Sequence, residues 1–348
     1  MFDADISYFT VPIVCFAFAW ILDRIFGDPI SLPHLVVGYG KLISFWEKRA
    51  NRTSSEAHVK RIHGALMGFV LTYGVLLVTI AIIYSAYSTI PILGVAISII
   101  LIFYCLAGTS LIREVKQVFK AVDLSVDAGR AQVARIVGRD TSQLSPQEIR
   151  IAALETLAEN LNDGVIAPIF YFFGGVLLGL LLHLVYPLAT EVLPLSLGVG
   201  LMTAFKMVNT LDSMVAYKND RYIDYGRYSA IQDDIWGYIP ARITAIMLLL
   251  SAKALGNWSF VKRFGRAHLS PNSGYPEAAM ASLLNCRFGG PHNYFGKEVY
   301  KPYIGINERL VDTKDCNKSI HFAQRAEFLS ILTFIVIAFI VWLSVMSL

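Results

Sequence analysis

LETLAENLNDGVIAPIFY, residues Leu154–Tyr171, decides how the rest of the 348-residue chain is read. Glu155, Glu159 and Asp163 are spaced four apart, so on a helix they form one acidic stripe, flanked by Asn160 and Asn162. From Gly164 the chain turns apolar and, His183 aside, stays so to about Pro187. A row of carboxylates therefore stands where a polar helix runs into a membrane span. Like charges on one face repel, so a cation is expected among them: either a divalent metal or Lys and Arg side chains. The plainer alternative is a solvated helix face. The membrane edge and the other polar clusters of the chain argue against it.

Outward from that stretch the chain is 55% hydrophobic and only 16% charged, with a mean hydropathy of +0.54. A soluble domain carries about 25% charged residues and lacks apolar runs of about 20 residues. The composition points to an all-α, polytopic helical membrane protein with about five to seven membrane-embedded helices, in one integral membrane domain over residues 1–348. The net charge of +4 is spread along the chain, which excludes a nucleic-acid patch. The four cysteines include no Cys-x-x-Cys pair, so neither a zinc site nor a disulfide framework is expected.

Apolar runs are expected to span at Ile6–Phe26, Gly64–Thr89, Pro91–Ile112, Gly164–Tyr186 and Phe328–Leu348, with Ile90-Pro91 as a helical-hairpin joint. Leu35–Trp46 is weakly amphipathic and suits the interface. Ser145, Pro146 and Glu148 have the spacing of a capping box that opens the acidic helix. The polar segments 47–63, 113–163 and 257–327 are rich in Lys and Arg and are expected in the cytoplasm. Three further crossings after residue 163 would put 257–327 outside. One of Leu195–Tyr217 and Ile235–Leu255 is therefore expected not to cross fully; the former carries Lys206, Asn209 and Asp212, the latter Pro240 and Arg242.

Besides the stripe, four clusters carry reactive side chains. Asp23, Asp28 and His34 surround the turn Gly27-Asp28-Pro29. In Val137-Gly138-Arg139-Asp140-Thr141 the arginine can clamp phosphate or carboxylate and the aspartate can orient it. Lys206, Asn209, Thr210, Ser213 and Tyr217 share one helix face with Asp212 at its margin, and Asp233-Asp234 follows. A polar face of that size in an apolar run needs protein or water partners. Last come His268, Ser270, Asn272 and Glu277, with Gly289-Gly290-Pro291 and Phe295-Gly296 beyond them, in compact loops able to wrap a ligand. Neither G-x-x-x-x-G-K-[ST] nor G-x-G-x-x-G is present.

In this order the clusters resemble the cobalamin-biosynthesis membrane proteins, the adenosylcobinamide-phosphate (cobinamide) synthases. The resemblance rests on Leu22-Asp23…Gly27-Asp28-Pro29, Val137–Thr141, Glu155…Glu159-Asn160…Asp163-Gly164…Ala167-Pro168, Lys206…Asn209-Thr210-Leu211-Asp212-Ser213…Lys218, Asp233-Asp234…Pro240-Ala241-Arg242 and Ser270-Pro271-Asn272…Pro276-Glu277-Ala278. It covers about residues 20–305. The chain departs from the family before Glu155, where its arginine is Arg150, one place earlier than the family's Arg-Ala and about 100° round a helix.

The resemblance implies that adenosylcobyric acid is joined through an amide to (R)-1-amino-2-propanol or its O-phosphate, with ATP as energy source and Mg2+ to neutralise triphosphate. Partners would be these substrates, the lipid bilayer, and further copies or other corrinoid-pathway enzymes. The site would face the cytoplasm from the inner, cytoplasmic membrane. From side-chain chemistry, Glu155, Glu159 and Asp163 are expected to take Mg2+, and Arg139 and Lys206 to meet phosphate. Asp212 or Asp234 suits the base; Asp140, Asn209, Ser213, Arg242, Ser270, Asn272 and Glu277 suit substrate binding. A transporter or channel with Lys206 and Asp212 lining a cation path is the alternative.

Overall fold

The computed structural model describes residues 2–28, 33–185, 190–294 and 297–347. The helices are α1 (Phe2–Phe26), α2 (Leu35–Ala50), α3 (Ala57–Thr89), α4 (Pro91–Cys105), α5 (Gly108–Leu124), α6 (Val126–Val133), α7 (Pro146–Leu161), α8 (Ala167–Val185), α9 (Leu193–Val215), α10 (Arg227–Ser251), α11 (Trp258–Ala267), α12 (Gly274–Leu284) and α13 (Thr313–Met346). An antiparallel hairpin, β1 (Phe288–Tyr294) and β2 (Lys297–Ile304), completes the described elements.

The fold is the expected helical membrane architecture. Among the described residues five stretches are long and apolar enough to cross a bilayer: Ile6–Phe26, Ala57–Thr89, Pro91–Leu124, Pro146–His183 and Thr313–Val345. Neither α9 nor α10, which cover the two doubtful runs, is among them. The capping box forms: Ser145 Oγ accepts from the Glu148 amide at 3.3 Å, and Glu148 Oε2 accepts from the Ser145 amide at 2.8 Å. The hairpin is a correction, because its Gly- and Pro-rich residues read as loops. A second correction lies at Asn162–Ile166, a π-helical turn that breaks the 3.6-residue register at the last carboxylate of the stripe. Pro29, Pro187 and Phe295-Gly296 lie outside the described residues.

The chain forms two compact units. The first holds Met1–Ala107, Pro168–Trp236 and Ile331–Leu348. In it α2 lays Tyr39 and Ile43 against Met67 of α3, Met207, Leu211 and Val215 of α9, and Tyr225. Buried Glu47, on the same face of α2, accepts from the Arg221 fork at 2.8, 3.0 and 3.1 Å. A buried carboxylate needs such a partner. Apolar helices in lipid gain little from hydrophobic burial, so small residues that let backbones approach take over the role. A Cβ at Gly64 would lie 1.8 Å from the Tyr225 carbonyl oxygen, and one at Gly226 1.7 Å from that of Val215.

The second unit holds Gly108–Ala167 and Gly237–Ser330. Its core joins Val115, Val118 and Phe119 of α5, Ile149, Ala152 and Leu157 of α7, Ala278 and Ala281 of α12, and Phe288 and Ile304 of the hairpin, all essentially solvent-free. Arg309 ties the chain after β2 to the start of α13 through two 2.7 Å bonds to Asp315.

Two glycines of α3 make a matched test of close packing. Gly64→Ala must move backbone and should cost about 1–3 kcal/mol or more. Gly74→Ala, with nothing within 4 Å of its Cβ, should be neutral or gain up to about 1 kcal/mol. Thermal unfolding in detergent reads both; equal melting temperatures for the two variants would refute the close approach at Gly64.

Candidate active site

In the second unit the acidic helix α7 meets the bulge of the hairpin. The β1–β2 register shifts between Phe288 and Gly290, and Gly289 sits there at φ +78°. An L side chain rarely adopts that φ, and a Cβ would stand 2.5 Å from the Pro302 carbonyl oxygen. The amide so released donates to Glu155 Oε1 at 2.7 Å. Glu155 Oε2 takes the Arg139 guanidinium at 3.1 Å, with both side chains under a tenth exposed. Arg139 also lines a cavity of about 380 Å³ with Arg287, Tyr303 and Arg309.

Glu159, one turn on, faces Asp163, Lys301, Glu155 and Arg139. Glu277 at the start of α12 is 3% exposed and shares these neighbours. Burial first, and then the charges of Glu155 and Glu159, push its carboxyl well above the usual carboxylate range, against the pull of Lys301 and Arg139. His268 turns Nε2 to within 3.7 Å of Glu277 Oε2, and its Nδ1 accepts from the Ser270 amide at 3.1 Å. Burial, with Lys301 nearby, lowers the imidazole's proton affinity. Protein cations, Arg139 and Lys301, lie beside the stripe. A cage of Glu155, Glu159 and Asp163 fits a divalent metal poorly: both oxygens of Glu155 are engaged, and no three His, Cys, Asp or Glu side chains among the described residues are grouped to hold an ion.

The other predicted residues of this unit serve their surroundings in defined ways. Arg242 lies between the rings of Tyr238 and Tyr275, 3.5 and 4.0 Å from their centroids, and donates to Asn272 Oδ1 at 3.3 Å. Ser270 Oγ accepts from the Asn272 and Ser273 amides and shapes the loop into α12. Asp163 Oδ1 accepts from Asn162 Nδ2 at 2.7 Å, and Asn162 Oδ1 in turn from Thr244 at 2.9 Å. Exposed Asp140 caps its own turn through the Ser142 amide, which lowers its pKa. Arg150 pairs with Asp123 at 2.7 Å, away from the stripe.

The first unit carries the remaining predicted residues. Lys206, Asn209, Asp212 and Ser213 follow one another along α9, with Asp234 on α10. The Thr210 and Ser213 hydroxyls donate back to the Lys206 and Asn209 carbonyls, both at 2.6 Å. Half-buried Lys206 lies near the Cys105 thiol and forms no ion pair with Asp212 or any other carboxylate among the described residues.

Sequence reading missed Lys301 and the Gly289 amide. Lys301 is a lone lysine in a polar segment, and an amide donor has no side-chain signature; only the glycine pair at 289–290 hinted at unusual backbone.

Residues 16–323 match the model of the CobD/CbiB protein family. This chain belongs to that family. Cobalamin biosynthesis protein CobD of Geobacter metallireducens is 39% identical over 320 residues, covering 90% of this chain and 93% of its own. Cobalamin biosynthesis protein CbiB of Salmonella arizonae is 36% identical over 332 residues, covering 93% and 96%. CobD of Citrobacter koseri is 36% identical over 334 residues, covering 93% and 97%. No solved structure matches the chain.

The buried pair and Glu277 make separable predictions. Arg139→Met strands a buried carboxylate and should cost about 3–5 kcal/mol, most of it regained in Arg139→Met/Glu155→Leu; a double variant as unstable as the single would show that the two do not act as a pair. For Glu277 the raised folded pKa means that the fold favours the protonated acid. Stability from it is full below the ordinary 4.5 and is lost as pH rises toward the folded value. Glu277→Gln mimics the protonated acid, so its melting temperature relative to wild type should be higher at pH 8 than at pH 5. A difference independent of pH would contradict the assignment.

Proposed function

We propose that this chain is an ATP-dependent amide synthase of cobalamin biosynthesis. It would join the free propionate of adenosylcobyric acid to (R)-1-amino-2-propanol or its O-phosphate. The names of its relatives support the pathway. The observation that carries the chemistry is the gathering of nearly solvent-free Arg139, Glu155 and Glu277 with half-buried Glu159 and Lys301, cations and proton acceptors side by side.

A carboxylate does not react with an amine at neutral pH, so it must first be activated. In the proposed sequence a propionate oxygen attacks the γ-phosphorus of ATP, the bond to the bridging oxygen breaks, and ADP leaves. The amine then adds to the acyl carbon and phosphate departs with the C–O electron pair. Arg139 and Lys301 are the cations proposed to neutralise charge on the transferring phosphoryl. Mg2+ arriving with ATP would offset triphosphate charge. In the first unit Asp212 or Asp234 is the proposed base, Lys206 a proposed phosphate contact, and Asn209 and Ser213 proposed substrate contacts. Asp140, Arg242, Ser270, Asn272 and Glu277 keep their proposed substrate roles. The active face is proposed to be cytoplasmic.

Purified protein should release one phosphate per amide formed, only with ATP, corrinoid and amine together. Lys206→Met should raise KM for aminopropanol phosphate about tenfold or more and leave KM for the unphosphorylated amine alone. Corrinoid or cation flux through proteoliposomes, with no amide formed, would overturn the synthase reading in favour of a transporter.

A further inference from the structure

The first unit has a cationic groove that the amide chemistry does not use. The inner face of α2 is committed to the core through Tyr39, Ile43 and Glu47. Its outer face, one stripe running Val37, Lys41, Ser44, Phe45, Lys48, lines an open groove of about 600 Å³ closed on the other side by Met214 of α9. Arg49 completes the groove. Its guanidinium stands 3.5 Å over the Phe45 ring and donates to the Phe45 carbonyl at 2.9 Å, so the charge is held in place. Three cations line the groove and no carboxylate does.

The same helix presents Val37, Leu42 and Phe45 at 57%, 50% and 57% exposure. In the chain it lies between two spans, Ile6–Phe26 and Ala57–Thr89. A basic helix with exposed large apolar side chains is suited to the headgroup–acyl boundary, where the cations reach phosphate and the apolar groups reach hydrocarbon. A soluble anion would use the cations and leave the apolar side chains in water.

We propose that the groove between α2 and Met214 is a binding site for the phosphate headgroup of an anionic phospholipid, gripped by Lys41, Lys48 and Arg49. Ser44 is positioned to add a hydroxyl donor, and the acyl chains run along Val37 and Phe45. The site ties the α2–α3–α9 core to the lipid surface, so occupancy stabilises the folded protein by mass action.

The full chain, purified in detergent and titrated with phosphatidylglycerol or phosphatidylcholine, tests this by native mass spectrometry and thermal unfolding. Wild type should retain phosphatidylglycerol in preference to phosphatidylcholine and melt higher with it. Lys41→Gln/Lys48→Gln/Arg49→Gln should retain one phosphatidylglycerol fewer, bind it about tenfold or more weakly, and lose most of the lipid-dependent rise. Lys41→Gln/Lys48→Gln, which keeps the Arg49–Phe45 stack, should show the same loss in part and covers the case that the triple variant folds poorly. Lys116→Gln/Lys120→Gln/Lys314→Gln removes the same charge elsewhere and should bind as wild type. An equal loss in that control would overturn the proposal in favour of diffuse charge attraction. Full competition by soluble glycerol phosphate at equal concentration would overturn it in favour of a small-anion site, and unchanged lipid retention in the groove variants would overturn it outright.

Discussion

A carboxylate taken out of water must have both oxygens met, and the second unit is arranged around that requirement at Glu155. One oxygen takes Arg139 and the other takes the amide of Gly289. The second bond explains the hairpin's irregularity. In a two-stranded hairpin alternate amides face outward, and the bulge with its left-handed Gly289 sets the direction of the one that reaches α7. Leaving either oxygen unmet would cost the desolvation of a buried charge, which is larger than the strain a glycine bears there. Around this pair Glu159 and Glu277 find Lys301.

The first unit answers the same constraint with fewer charges. Glu47 is held by the Arg221 fork, and the rest of the packing is backbone on backbone through glycine. Lys206 is half-buried, and among the described residues no carboxylate pairs with it as Arg221 pairs with Glu47.

Membership of the CobD/CbiB family and the charged constellation bear on different questions. Similarity over nine-tenths of the chain places it among proteins named for cobalamin biosynthesis. The buried cations and acids speak to what kind of step such a site could run. The relatives' names say nothing of the groove on α2, which is a matter of helix amphipathicity alone.

Sequence by itself determined the class of the fold, the capped start of α7 and the family, because each depends on local periodicity or on motifs in fixed order. Five apolar runs become five candidate spans, and Ser145-Pro146-x-Glu148 becomes a capping box, without reference to anything far along the chain. Tertiary structure decided what meets the acidic stripe. Spacing placed Glu155 and Glu159 on one face and, with side-chain chemistry, led to an expected Mg2+ site, without showing which side chains come near. Arg139 arrives from 16 residues upstream, and the Gly289 amide from 134 downstream. The π turn at Asn162–Ile166 and the bulge at Gly289 escaped the sequence for one reason. Both are backbone departures held by partners distant in the chain, and local propensity carries no record of a partner that only folding brings near.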